Sequence, residues 1–82
     1  MRANRLLEVC KEKGYTLAGL AIETGIPKKT IYQYSQDARF PRIQFRLLIA
    51  SVLGVDEREI FDERAFWEKR AFTREEEDEN EH

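Results

Sequence analysis

Side chains able to make or break bonds are scarce in this chain of 82 residues. It has one histidine, His82, at the last position, and one cysteine, Cys10. A lone cysteine forms no internal disulfide and builds no cysteine metal cluster. A single histidine at that position supports neither a serine-histidine-aspartate arrangement nor a histidine-ligated zinc. No nucleophile stands beside a base, no phosphate-cradling loop occurs and no paired carboxylates are recognisable. The expectation is therefore a non-enzyme with no cofactor and no metal. Cys10 reads as a small buried hydrophobe rather than a redox sensor.

What remains is the chemistry of charge and hydrogen bonding. The formal net charge is −2, but it is unevenly spread. Residues 1–60 carry ten Lys/Arg against seven Asp/Glu, while residues 61–82 carry four against nine. A mildly basic body joined to an acidic end is a reason to consider nucleic acid as partner. No apolar run approaches the ~20 residues that span a bilayer. The opening stretch, MRANRLLEVCKEKG, has no uninterrupted apolar core of a secretion signal. The expected location is the cytoplasm, with no membrane partner.

The elements that must position these groups follow from periodicity and punctuation. Residues 4–13 place Leu6, Val9 and Cys10 on one helical face, and Gly14 suits the end of that helix. Thr16 is a good N-cap for a second helix from Leu17 to about Thr24, with Leu17, Leu20 and Ala21 inward. Gly25 supplies a turn, and Pro27 suits the first turn of a third helix running to Tyr34. Ser35 to Arg42 reads as a loop. Ile43 to Leu53 carries an apolar stripe of Phe45, Leu48, Ile49, Val52 and Leu53, stopped by Gly54. Asp56 caps a short fifth helix ending near Phe61. Residues 62–73 form one more amphipathic segment, an additional C-terminal helix. Residues 74–82 read as an acidic, disordered tail. The fold class is all-α: a compact five-helix domain over residues 1–61.

The most informative stretch is Thr16–Tyr34. Two helices meeting at a steep angle need a small residue at the contact, and Ala21 provides one. They need a residue tolerant of left-handed backbone at the turn, and Gly25 provides that. Leu20, Ile26, Ile31 and Tyr34 point back to a core, so the second helix of the pair keeps one face free. This is the helix-turn-helix pattern.

The run Thr-x-x-x-Leu-Ala-x-x-Thr-Gly-Ile-x-x-x-Thr-Ile-Tyr, residues 16–32, resembles the Cro/C1-type (lambda-repressor-like) DNA-binding family. So does the later series Phe40-Pro41, Leu48-Ile49-Ala50 and Leu53-Gly54-Val55. The likeness covers about residues 4–61. It implies a transcriptional regulator, repressor or Cro-like, of phage or mobile-element type. Such a protein binds operator double-stranded DNA as a homodimer, formed in solution or only on DNA, with its third helix in the major groove. Carried over by position, the base-facing residues are Lys28, Lys29, Tyr32 and Gln33. Lysine donates to guanine O6/N7 and glutamine pairs with adenine N6/N7. Tyr32 would meet a thymine methyl or a phosphate. Phosphate contacts fall to Thr16 at the second helix's N-terminus, Thr30, Arg39, Arg42 and Gln44.

The chain departs from the family pattern in places. An Arg–Glu pair common in the family is replaced at both ends, by Cys10 and Ser35, which leaves no orphan charge. Pro27 stands where a capping serine is usual, and Leu17 where a glutamine grips phosphate. Gly19 weakens the second helix by roughly 1 kcal/mol relative to alanine. Phe66 and Trp67 either close the core from below or form a dimer or partner contact. A second reading is a protein-interaction module on a helix-turn-helix scaffold, an antirepressor or inhibitor of a regulator. Its motives are the negative net charge, the acidic tail and the aromatic segment 61–72 outside the likeness, through which a protein partner would bind.

Overall fold

In a computed structural model of the chain, residues 4–70 are described. The expected disordered tail, residues 74–82, lies outside them. The order is α1 (Leu6–Glu12), α2 (Leu17–Thr24), α3 (Lys28–Ser35), α4 (Ile43–Leu53), a single 3-10 turn (Glu57–Glu59) and α5 (residues 63–70). The fold is all-α, and no strand forms among the described residues. One antiparallel bridge joins Asn4 to Phe61, where the Arg5 N–H donates to the Ile60 carbonyl at 2.7 Å. That bridge brings the start of α1 against the end of the 3-10 turn. No helix among the described residues is long and apolar enough to cross a membrane.

Helices α1 to α4 each give two or three side chains to one core. Leu6, Val9 and Cys10 come from α1, and Leu17, Leu20 and Ala21 from α2. Ile31 and Tyr34 come from α3, and Ile49, Ala50 and Leu53 from α4. Ile26, Ile60 and Phe61 complete it from the connections. Burying each of the larger aliphatic chains contributes about 1.5–3 kcal/mol.

The expected stripe on α4 needs correction. Ile49 and Leu53 point inward, but Leu48 is 38 % exposed, and Phe45 and Val52 are only half-buried. Helical geometry turns about 100° per residue, so a side chain next to fully buried Ile49 is carried to the flank. Small Ala50, on the other side of Ile49, is buried instead. Ile43 and Leu47 lie exposed on the opposite flank.

The ends of the helices follow local chemistry. Thr16 caps α2, its Oγ1 accepting the Gly19 N–H at 2.9 Å. A Cβ at Gly19 would lie 3.1 Å from that same oxygen. The propensity gain from alanine there is thus offset against a disturbed cap. α1 ends with Lys13 as its cap and left-handed Gly14 one residue beyond. Asp56 caps as expected, accepting the Arg58 N–H, but the helix it starts is a 3-10 turn. Pro27 was expected inside α3. It is the N-cap, at φ −55° and ψ 139°, so α3 starts at Lys28 and ends one residue later than Tyr34.

The turn between α2 and α3 is set by Gly25, which closes α2 at φ 76° with its N–H on the Ala21 carbonyl. The Thr24 hydroxyl donates to the Leu20 carbonyl at 2.8 Å and accepts the Ile26 N–H at 3.2 Å. Ile26 is thereby turned into the core. A Cβ at Gly25 meets no atom within 4 Å, so only backbone strain opposes a side chain there. Gly25→Ala is expected to destabilise the fold by about 1–2 kcal/mol in urea unfolding. Gly25→Asn should cost less, because asparagine tolerates left-handed backbone. Equal losses for both would show that steric contact, not φ, governs the turn.

Candidate nucleic-acid interface

α3 buries one side and presents the other. Ile31, Tyr34 and Ser35 face the core. Lys28, Lys29 and Tyr32 are exposed, and Thr30 and Gln33 are half-buried. Lys28 and Tyr32, four residues apart on one face, interact directly, with the ammonium 5.7 Å from the ring centroid. The face thus offers two ammonium groups, a phenol hydroxyl and an amide. All four groups can donate hydrogen bonds to the edges of bases.

The segment after α3 is held with unusual thoroughness. Asp37 adopts left-handed backbone, at φ 59°, and its side chain is only 3 % exposed. Its carboxylate accepts a hydrogen bond from Asn4 Nδ2 and lies 3.5 Å from Lys69 Nζ. The same Asn4 amide donates to the Tyr34 carbonyl at 2.8 Å, and Asn4 Oδ1 accepts the Leu6 N–H at 2.9 Å. Arg70 donates to the Ala38 carbonyl. The Phe40 ring packs edge-on against Phe61, with centroids 6.1 Å apart, and at a tilt against Phe66, with centroids 5.2 Å apart. Arg46 lies over the other end, 4.9 Å from the Phe40 centroid, and donates to the Pro41 carbonyl at 2.6 Å. Residues 37, 38, 40 and 41 are therefore fixed to the body. Arg39 and Arg42 are left exposed.

Ion pairing sorts the cations. Arg5 pairs with Glu8 and Glu12, Arg58 with Asp56, and Arg64 with Glu68. Arg46 pairs with Glu57 at 3.2 Å, both side chains mostly buried. Among the described residues, Lys28, Lys29, Arg39 and Arg42 have no ion pair, and neither do Lys11 and Lys13 near the end of α1 or Arg70, whose guanidinium is on the Ala38 carbonyl and the Phe66 ring. Burial pushes the Tyr34 phenol up, while the field of Arg39 and Arg42 pulls it down.

The remaining expected phosphate groups lie at helix starts. Gln44 is exposed in the first turn of α4, whose N-cap, Arg42, makes no side-chain cap bond. The Phe45 N–H is already on the Arg42 carbonyl, so the Ile43 and Gln44 amides beside that arginine are the ones suited to an anion. Thr16 is exposed. Its oxygen is engaged in the cap, and the hydroxyl proton is left to donate.

Phe66 and Trp67 part company. Phe66 is 3 % exposed, under Phe40 and the Arg70 guanidinium, so it is a core residue and not a partner contact. Trp67 rests edge-on against Phe66 and is 54 % exposed. Cys10 and Ser35 are both buried, and the Ser35 hydroxyl donates to the Tyr32 carbonyl at 2.8 Å. Burial pushes the Cys10 thiol up, which keeps it protonated and inert. An open depression of about 380 Å³ beside Phe40 and Phe61 is lined by Arg46 and Arg58, whose charges are already paired.

Asn4, Asp37, Arg46 and Arg70 are the positioning residues that sequence reasoning missed. Asp37 left one local signal, an aspartate just past a helix end, where left-handed backbone is common. Comparison with family models, curated proteins and solved structures finds no match for this chain.

Asp37→Ala should cost about 1–3 kcal/mol in urea unfolding, because one of the two Asn4 amide hydrogens loses its acceptor while the other stays on the Tyr34 carbonyl. Near-neutral behaviour would show that the loop is held without it.

Proposed function

We propose that this protein is a sequence-specific DNA-binding regulator of the Cro/C1 (lambda-repressor-like) kind. It lays α3 in the major groove of operator DNA, and two copies act together on paired half-sites. The observation that carries this reading is the sorting of charge. Most cations elsewhere are neutralised within the chain, whereas those on the exposed side of α3 and on its following loop are not. The pinned loop also supports it. Arg39 and Arg42 are held without a partner of their own, so less conformational freedom is lost when a phosphate arrives.

In this reading Lys28, Lys29, Tyr32 and Gln33 read base edges. Arg39, Arg42, Gln44, Thr16 and Thr30 hold the backbone. Four exposed cations per copy give modest affinity, so joining two copies on adjacent half-sites raises it by making the second contact intramolecular. A second reading, a protein-interaction module, draws on the exposed Trp67 indole and would use α5 instead.

Selection from random duplexes should yield a defined sequence. Against that sequence, Lys28→Ala with Lys29→Ala should weaken binding about a hundredfold or more, at ~1–3 kcal/mol per lost base contact. Arg39→Ala with Arg42→Ala should weaken binding to all sequences alike and lower the salt slope by about 2. Unchanged affinity in the lysine pair, with circular dichroism intact, contradicts the proposal. Capture of a protein through Trp67 without any DNA binding would favour the second reading.

A further inference from the structure

We propose that the acidic segment at residues 75–81 docks on Lys28, Lys29, Arg39 and Arg42 and competes there with DNA. The competition rests on the DNA-binding reading above, but the docking does not. Three observations converge on it.

The first is charge. Residues 75–81 hold six Asp/Glu and no Lys or Arg. The four cations they would meet have no ion pair among the described residues. The second is the point of departure. Arg70 closes the described chain with its guanidinium on the Ala38 carbonyl, and Lys69 reaches Asp37. The last described residue therefore lies beside the very loop that presents Arg39 and Arg42. The third is reach. Residue 75 is five residues past Arg70, at most about 17 Å of extended chain, and residue 79 is at most about 30 Å away. α3 itself is about 12 Å long. The acidic segment can thus span from the loop to Lys28 with slack.

Exposed ion pairs are individually weak. Several formed within one chain act at the high effective concentration of a short tether. The contact is electrostatic and largely screened where salt shortens the Debye length below about 8 Å. The tail would then set a threshold: weak, non-specific duplex is displaced, while a site whose bases are read still wins.

The test uses the full chain. Carbodiimide coupling at low protein concentration joins carboxylates to amines in contact, and peptide mapping locates the joints. Joints from residues 75–81 to Lys28 or Lys29 are expected, and they should fade as salt rises. Lys11 and Lys13 serve as controls; joints only there, or none, overturn the proposal. A second arm replaces the acids by Glu75→Gln, Glu76→Gln, Glu77→Gln, Asp78→Asn, Glu79→Gln and Glu81→Gln. Binding to a mixed-sequence duplex of about 20 base pairs should tighten ~5- to 50-fold at low salt, within the usual range of coupling between sites. Equal affinity with the joints present overturns the competition. Joints without DNA binding by either chain overturn the DNA reading and leave the docking standing.

Discussion

The carboxylate of Asp37 holds the candidate surface together. It lies almost fully buried at the end of α3, in left-handed backbone, and it joins chain segments far apart in sequence. Asn4 reaches it from before α1 and Lys69 from α5. A buried carboxylate is tolerated only where hydrogen bonds and opposite charge compensate lost hydration. Both are supplied here, and the supply fixes where α1, α3 and α5 lie relative to one another. The direction of the loop after α3 follows from that junction.

Given the direction, the rest of the loop is settled by alternation. Phe40 finds Phe61 and Phe66, Pro41 is roofed by Arg46, and Ala38 is held through its carbonyl by Arg70. Arg39 and Arg42 have no inward contact left to make. Two long side chains are therefore offered from a fixed backbone, next to a helix whose own exposed side carries two lysines. The same charges spread over a flexible loop would lose more freedom on meeting a phosphate. The Gly25 turn does the corresponding work at the other end of α3, by burying Ile26 and aiming the helix.

The helices were legible because their signals are local. Thr16, Gly25, Gly54 and Asp56 cap or stop elements through backbone rules that operate within a few residues. Leu20, Ile31 and Ile49 recur at helical spacing and are buried. Leu48 misled because an apolar residue on a helix flank fits the same period without reaching the core. Pro27 misled by one position because a fixed φ suits both the cap and the first turn. Within the candidate site, Lys28 and Lys29 could be nominated from pattern and likeness. Asn4, Arg46 and Arg70 could not, since each acts on a partner distant in sequence or on a backbone carbonyl that leaves no trace in residue types. Phe66 and Trp67, adjacent and both aromatic, could be assigned only once α5 was seen to turn one inward and one outward.

The central claim is that duplex DNA meets the exposed side of α3, its pinned loop and the first turn of α4. Titrating the labelled full chain with the selected duplex, while recording backbone amide shifts, tests it most directly. The account predicts changes concentrated at Thr16, at residues 28–33 and at residues 39–44, with α1 and the buried Ile49, Ala50 and Leu53 still. Changes confined to α5 and Trp67, or no change at any duplex concentration, would contradict it.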